Sequence, residues 1–271
     1  MECARQILER DGFVVLQDVL DEDRVARLVA AVDRVWHERG DGSALHLLGF
    51  VGLDREFVEL VDVAEALDLV VDVLGTNVYV YHCHLDVHPP VRSPVPAWRW
   101  HQDGGRQNVE LESPRPRLSL KVAYFLTDVD DAALGALWVL PRSHERDRLA
   151  RPANGSVTSR GAVPVLVRAG SAVVFDRRLW HARGDNVSDR TRKALFYGYT
   201  HRWIRPRDAL LAVDDELLAQ LDPVKRQLLG GGTSPIGYWI PTDDDVPLAM
   251  RYKPQPCAST SSATWRASPG S

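Results

Sequence analysis

Apolar residues recur at Val25, Leu28, Val29, Val32, Val35 and Trp36. That spacing predicts an amphipathic helix over 22–39. Asp21 serves as its N-cap and Gly40 closes it. Val63, Ala66, Leu67, Val70, Val71 and Leu74 repeat the period and predict a second helix ending at Gly75. From Asn77 the texture changes to short β-rich runs separated by Gly, Pro and Asp: 78–87, 97–101, 118–129, 136–140, 163–167, 171–175 and 194–203. Ala169-Gly170 between two Val-rich runs reads as a tight turn. Helix returns over Asp208 to Leu229, with Leu210, Leu211, Leu217, Leu218 and Leu221 on its apolar side. Many closely spaced strands predict a mainly β protein with flanking helices. The expected form is a double-stranded β-helix (a cupin-like jelly roll) with the N-terminal helices packed on one face. Residues 1–253 form one expected domain, and 254–271, rich in Ser, Thr, Ala and Pro, form an expected disordered tail. There is no internal repeat.

A chain of 271 residues with 45% hydrophobic and 26% charged residues can bury a substantial core. Its net charge of -4 offers no basic field for nucleic acid or an anionic membrane, and no run approaches a membrane span. Cys3, Cys83 and Cys257 form no C-x-x-C pair, and Arg5, Glu9, Arg10 and Asp11 interrupt the start where a leader would be apolar. The expectation is a reduced, cytoplasmic protein, monomeric or homodimeric, whose partner is a small molecule.

The candidate chemistry begins at His101 and Asp103. In an extended segment residues i and i+2 face the same side, so imidazole and carboxylate can bind one metal. A third ligand must come from a distant strand. The segment from Gly170 to His181, a turn, a buried strand and a polar loop ending in His, has the right form. Nine histidines leave that choice open on counting alone. Gln102 between the two ligands points the other way, toward scaffolding.

His101-Gln-Asp103, Leu137-Trp-Val-Leu-Pro141-Arg-Ser-His144, Gly170 to Phe175 and His181-Ala-Arg-Gly-Asp-Asn186-Val-Ser188-Asp-Arg-Thr-Arg192 together resemble the phytanoyl-CoA dioxygenase family. The resemblance runs from about Asp11 to about Pro247. It implies an Fe(II)- and 2-oxoglutarate-dependent oxygenase that uses O2, hydroxylates a C–H bond of a small organic molecule and releases succinate and CO2. By position it implies His101, Asp103 and His181 as iron ligands. It gives Arg192 the distal carboxylate of 2-oxoglutarate, a role that a planar, permanently charged fork suits. Arg190 is the competing arginine. Tyr124 and His84 are weaker transfers to the cosubstrate. Arg183 stands where relatives often carry Ser, and no lysine is found near His46 and Leu47 where some members use one. Asp103 favours oxygenation over halogenation, which needs a small residue there. Trp98, Arg106, Arg183 and Trp239 are expected at the substrate pocket, and the tryptophans suggest a ring-bearing or amphipathic secondary metabolite. The 92–96 loop and the stretch around 154–161 are candidate lids. Cyclisation, epimerisation or desaturation on the same centre stays open, as does a jelly-roll binding protein without redox chemistry.

Overall fold

The computed structural model describes residues 3–208, 213, 215–232 and 236–252. The predicted tail at 254–271 and helix positions Leu210 and Leu211 lie outside the described residues. The order begins α1 (Ala4–Asp11), β1 (Phe13–Leu16), α2 (Glu22–Arg39), β2 (Leu45–Leu48), α3 (Arg55–Val58), α4 (Ala64–Leu74) and β3 (Val78–His88). It continues with β4 (Ser119–Phe125), β5 (Leu137–Val139), β6 (Val163–Val165), β7 (Ala172–Asp176), β8 (His181–Arg183) and β9 (Arg192–His201). One sheet has the order β1-β7-β4-β9-β3-β2 and the other β6-β5-β8. All the strand pairs are antiparallel. The result is the predicted mainly β jelly roll with flanking helices.

α2 has the predicted bounds. The Arg24 amide donates to the Asp21 carboxylate at 2.7 Å, and Leu28, Ala31, Val32 and Val35 form the buried stripe. That stripe and α4 pack on the outer face of the large sheet, against Val122, Tyr124, Leu195 and Tyr197 among others. The inner face meets the small sheet through a second core that includes Ala123, Phe125, Val173, Phe175, Leu137 and Val139. Each strand of the large sheet thus separates its residues by parity, one set to the helices and one to the interior. α1, β1 and β2 were not predicted. Gly12 caps α1 at φ +83°, and a Cβ there would lie 2.5 Å from His144 Nδ1, so glycine is what lets the chain turn from α1 into β1 against His144.

Two predicted elements differ. The 97–101 run is not a strand; only His101 bridges to His181. Pro94 and Pro96 just before it remove the amide donors a ladder needs. The helix predicted over 208–229 contains instead two short helices, Asp215–Gln220 and Pro223–Leu228. Asp222 breaks the run by capping the second, accepting from the Val224 and Lys225 amides.

β3 carries a register irregularity. Val80 pairs with Tyr199 but His82 with Gly198, leaving Tyr81 as the extra residue. Before it, Val78 and Val80 face the helical core; after it, Cys83, Leu85 and Val87 do. The bulge therefore turns His82, His84, Asp86 and His88 toward the interior. A Cβ on Gly198 would come within 2.9 Å of the Tyr81 ring, so the bare glycine makes room for the bulged side chain.

Candidate metal centre

His101 and His181 meet as a backbone pair, each amide donating to the other's carbonyl at 3.0 Å. This places their rings 4.2 Å apart. The imidazoles are set alike by their own chain: His101 Nδ1 lies 2.9 Å from the Arg99 carbonyl and His181 Nδ1 2.9 Å from the Leu179 carbonyl. A carbonyl only accepts, so Nδ1 carries the proton in both rings and both Nε2 lone pairs are bare. Asp103 is buried, with Oδ1 4.0 Å from His101 Nε2. One donor atom from each of the three residues falls within 4.8 Å of the others. Two neutral imidazoles and a carboxylate on one side of an otherwise open space suit a divalent iron.

The electrostatics keep these groups in their ligand forms. Burial pushes His181 down to about 3, helped by His101. Burial alone would raise Asp103, but Lys121, with Nζ 2.7 Å from Oδ2, and the two histidines hold it well below the usual carboxylate range. Lys121 comes from the inner face of β4 and is itself buried.

A cavity of about 300 Å³ opens over the three residues. Arg192, at the start of β9, lies on its wall, fully buried. Its Nη1 donates to the Gly135 carbonyl at 2.8 Å, and its Nη2 lies 3.5 Å from Asp86 Oδ2. Burial lowers Arg192 to about 10, so it stays charged at neutral pH. Arg190, the competitor, sits at the surface paired with Asp130. Gln102 faces away, its Nε2 donating to the Arg146 and Arg178 carbonyls, which pins the loop between the two candidate ligands.

Arg183 and His84 also line the cavity. The other expected pocket residues do not. Tyr124 is on the opposite parity of β4 from Lys121. It packs edge-on to Tyr197 in the helical core and donates its hydroxyl to the Leu60 carbonyl at 3.2 Å. Trp98 packs beside Trp100 in a small outer cluster. Arg106 is at the surface, paired with Glu110. Trp239 lines a separate hollow with Trp203 and Tyr79. The 92–96 loop is exposed. Val157, in the other candidate lid, accepts at its carbonyl from the Trp100 indole, and both border a lesser hollow beside the cavity.

Sequence reasoning missed Lys121, His46, His82, Asp86 and Arg207, all on the cavity wall, and His88, next to Asp86. The His82-x-His84-x-Asp86-x-His88 alternation was a readable sign of a polar face on an otherwise apolar strand.

With the geometry in place, the profile of the phytanoyl-CoA dioxygenase (PhyH) family matches residues 8–194, and the chain belongs to that family. It is accordingly a 2-oxoglutarate-dependent non-heme iron dioxygenase, using Fe(II), 2-oxoglutarate and O2. The chain is 30% identical over 235 residues to the uncharacterized protein Rv1501 of Mycobacterium tuberculosis, covering 81% of this chain and 82% of that one. It is 26% identical over 225 residues to the ectoine dioxygenase of Nocardia farcinica, covering 69% and 74%. Among solved structures it is similar to SnoK, an α-ketoglutarate-dependent carbocyclase from nogalamycin biosynthesis. That match has a TM-score of 0.58 and 26% identity, and covers 81% of this chain and 90% of that one. Among the described residues no helix is long and apolar enough to cross a membrane.

Proposed function

We propose that His101, Asp103 and His181 hold the Fe(II), that Arg192 receives the distal carboxylate of 2-oxoglutarate, and that the enzyme hydroxylates a C–H bond of a small polar molecule admitted to the same cavity. The convergence of two bare Nε2 lone pairs and an ionised carboxylate beneath a cavity walled by a buried guanidinium carries the reading. Bound there, iron lets O2 oxidise 2-oxoglutarate to succinate and CO2 and functionalise the substrate. The chain's own work is positioning and shielding. The Arg99 and Leu179 carbonyls fix both rings. Lys121 occupies Oδ2 of Asp103 and leaves Oδ1 as the ligand atom. Leu137, Phe175 and Phe196 provide the apolar part of the wall and restrict water.

The wall favours a polar substrate over the ring-bearing one that the tryptophans suggested. Arg99, Arg183, Arg207 and His46 face the cavity, while Trp98 and Trp239 lie elsewhere. Charged rims of this kind select substrates with acidic or hydroxyl groups. A second reading is ring closure on the same centre, supported by the similarity to a carbocyclase. Succinate formation with Fe(II), ascorbate and 2-oxoglutarate tests the reaction class, and product mass separates the two readings because hydroxylation adds one oxygen. No succinate, with or without polar substrates, from protein shown to bind Fe(II) would overturn the proposal.

A further inference from the structure

The inner row of β3 forms a second donor cluster. His46, on β2, stands directly opposite Asp86 in the strand register, with its Nδ1 2.6 Å from Asp86 Oδ1. His84 lies two residues earlier on the same face, its ring 4.7 Å from that of His46. One donor atom from each of His46, His84 and Asp86 lies within 4.8 Å of the others. The set again contains two imidazoles and a carboxylate.

The tautomer of His84 is dictated from outside the cavity. Asp208 Oδ2 accepts from His82 Nδ1 at 2.6 Å, so His82 carries its proton there. Arg207 Nη1, which can only donate, lies 3.3 Å from His82 Nε2. That nitrogen is therefore a lone pair, and it accepts from His84 Nδ1 at 3.1 Å. The remaining nitrogen of His84, Nε2, carries no proton and has no hydrogen-bond partner among the described residues. It faces the cavity. Histidine ligands of metals are ordinarily oriented in this way, their second nitrogen donating to an acceptor that a carboxylate holds in place. Burial keeps both His82 and His84 neutral. His84 also stacks on Phe196 with centroids 4.2 Å apart, so its ring direction is fixed. His46 is half-exposed and provides the way in.

We propose that His46, His84 and Asp86 form a second divalent-metal site in the same cavity. The donors are of the borderline nitrogen and oxygen type, which select Fe(II), Co(II), Ni(II) or Zn(II) over Mg(II) or Ca(II). An ion there takes Asp86 away from Arg192 and adds positive charge beside a wall that must receive a dicarboxylate. Metal at this site and 2-oxoglutarate therefore strengthen each other's binding, by reciprocity.

The test is calorimetric titration of the metal-free full chain with Ni(II), with and without 2-oxoglutarate. The wild type takes up two equivalents, while Asp103→Ala and His46→Ala each take up one. Asp208→Asn weakens the second event by about 10- to 100-fold, although residue 208 touches no metal. Circular dichroism confirms that each variant is folded, and His46→Ala, altering a half-exposed side chain, provides the arm least prone to misfolding. Uptake of one equivalent by the wild type, lost in Asp103→Ala and retained in His46→Ala, overturns this site and leaves the 101/103/181 centre standing. One equivalent lost in His46→Ala and retained in Asp103→Ala does the reverse.

Discussion

Lys121 Nζ lies 2.7 Å from Asp103 Oδ2, and both side chains are buried. A cation thus already sits on the carboxylate proposed to bind the metal. It balances the buried negative charge, and it leaves Asp103 one oxygen to offer.

Replacing Lys121 by Met leaves a buried carboxylate without its counter-charge. The metal-free protein should lose about 3–5 kcal/mol, the usual cost of breaking one side of a buried pair. Added Ni(II) should recover more of that loss than it adds to the wild type, because the ion replaces the missing charge. Thermal unfolding with and without Ni(II) checks both halves. Equal Ni(II)-induced shifts in variant and wild type would count against this role.

His181→Ala or His101→Ala removes one of two imidazole donors. Each should abolish measurable succinate formation and weaken Fe(II) or Ni(II) binding at that centre by at least about 10-fold. Calorimetry reports the binding apart from the activity. An alanine variant with wild-type affinity at both sites would remove that residue from the ligand set.

Arg192→Lys keeps the charge and loses the planar fork. The KM for 2-oxoglutarate should rise by about 10- to 100-fold, the loss of one charge-assisted contact. Arg190→Lys, at the surface, should leave it unchanged. Steady-state kinetics on the pair decides which arginine anchors the cosubstrate.

Tyr124→Phe should cost roughly 1–2 kcal/mol, since the Leu60 carbonyl loses its donor in the core. The KM for 2-oxoglutarate should not move, because the ring lies on the far side of β4 from the cavity. Urea unfolding and kinetics on the same preparation test both. A raised KM with unchanged stability would restore Tyr124 to the site.

The metal-free protein should lose stability in mild acid. His181 has an ordinary value of 6.5 and is held at about 3 in the fold, chiefly by burial. Above 6.5 neither folded nor unfolded chain binds the proton. Below it the unfolded chain does and the fold refuses, so stability drops until both are protonated near 3. At pH 5 this residue alone accounts for roughly 2 kcal/mol. His82 and His84, also held low, act in the same direction. Urea unfolding at about pH 7.5 and about pH 5 reads the slope, and equal stabilities would contradict these histidine environments.

What could be read in advance followed the strength of each local signal. α2 was legible to the residue because its apolar period and both of its ends are written in neighbouring positions. That His101 and Asp103 would come together was legible from their spacing of two residues. The approach of His181 was not, since the His101–His181 contact joins positions far apart and only the family pattern pointed to it. Tyr124 was misjudged for a related reason. Parity on a strand says that two sets of side chains diverge, but not which set meets the helices. Lys121 was passed over because a lone lysine in an apolar strand carries no period at all. β1 and β2 are too short, at four residues each, to establish an alternation.

The irregularity at Tyr81 has a wider consequence. It acts as a phase switch in the middle of an otherwise continuous strand. Were Tyr81 drawn into the regular ladder as a paired residue, everything from His82 to His88 would change face, sending three imidazoles and a carboxylate into the oil of the helical layer and Cys83, Leu85 and Val87 into the cavity. The polar half of the chamber therefore depends on Tyr81 staying outside the ladder, and on Gly198, which leaves the room for it.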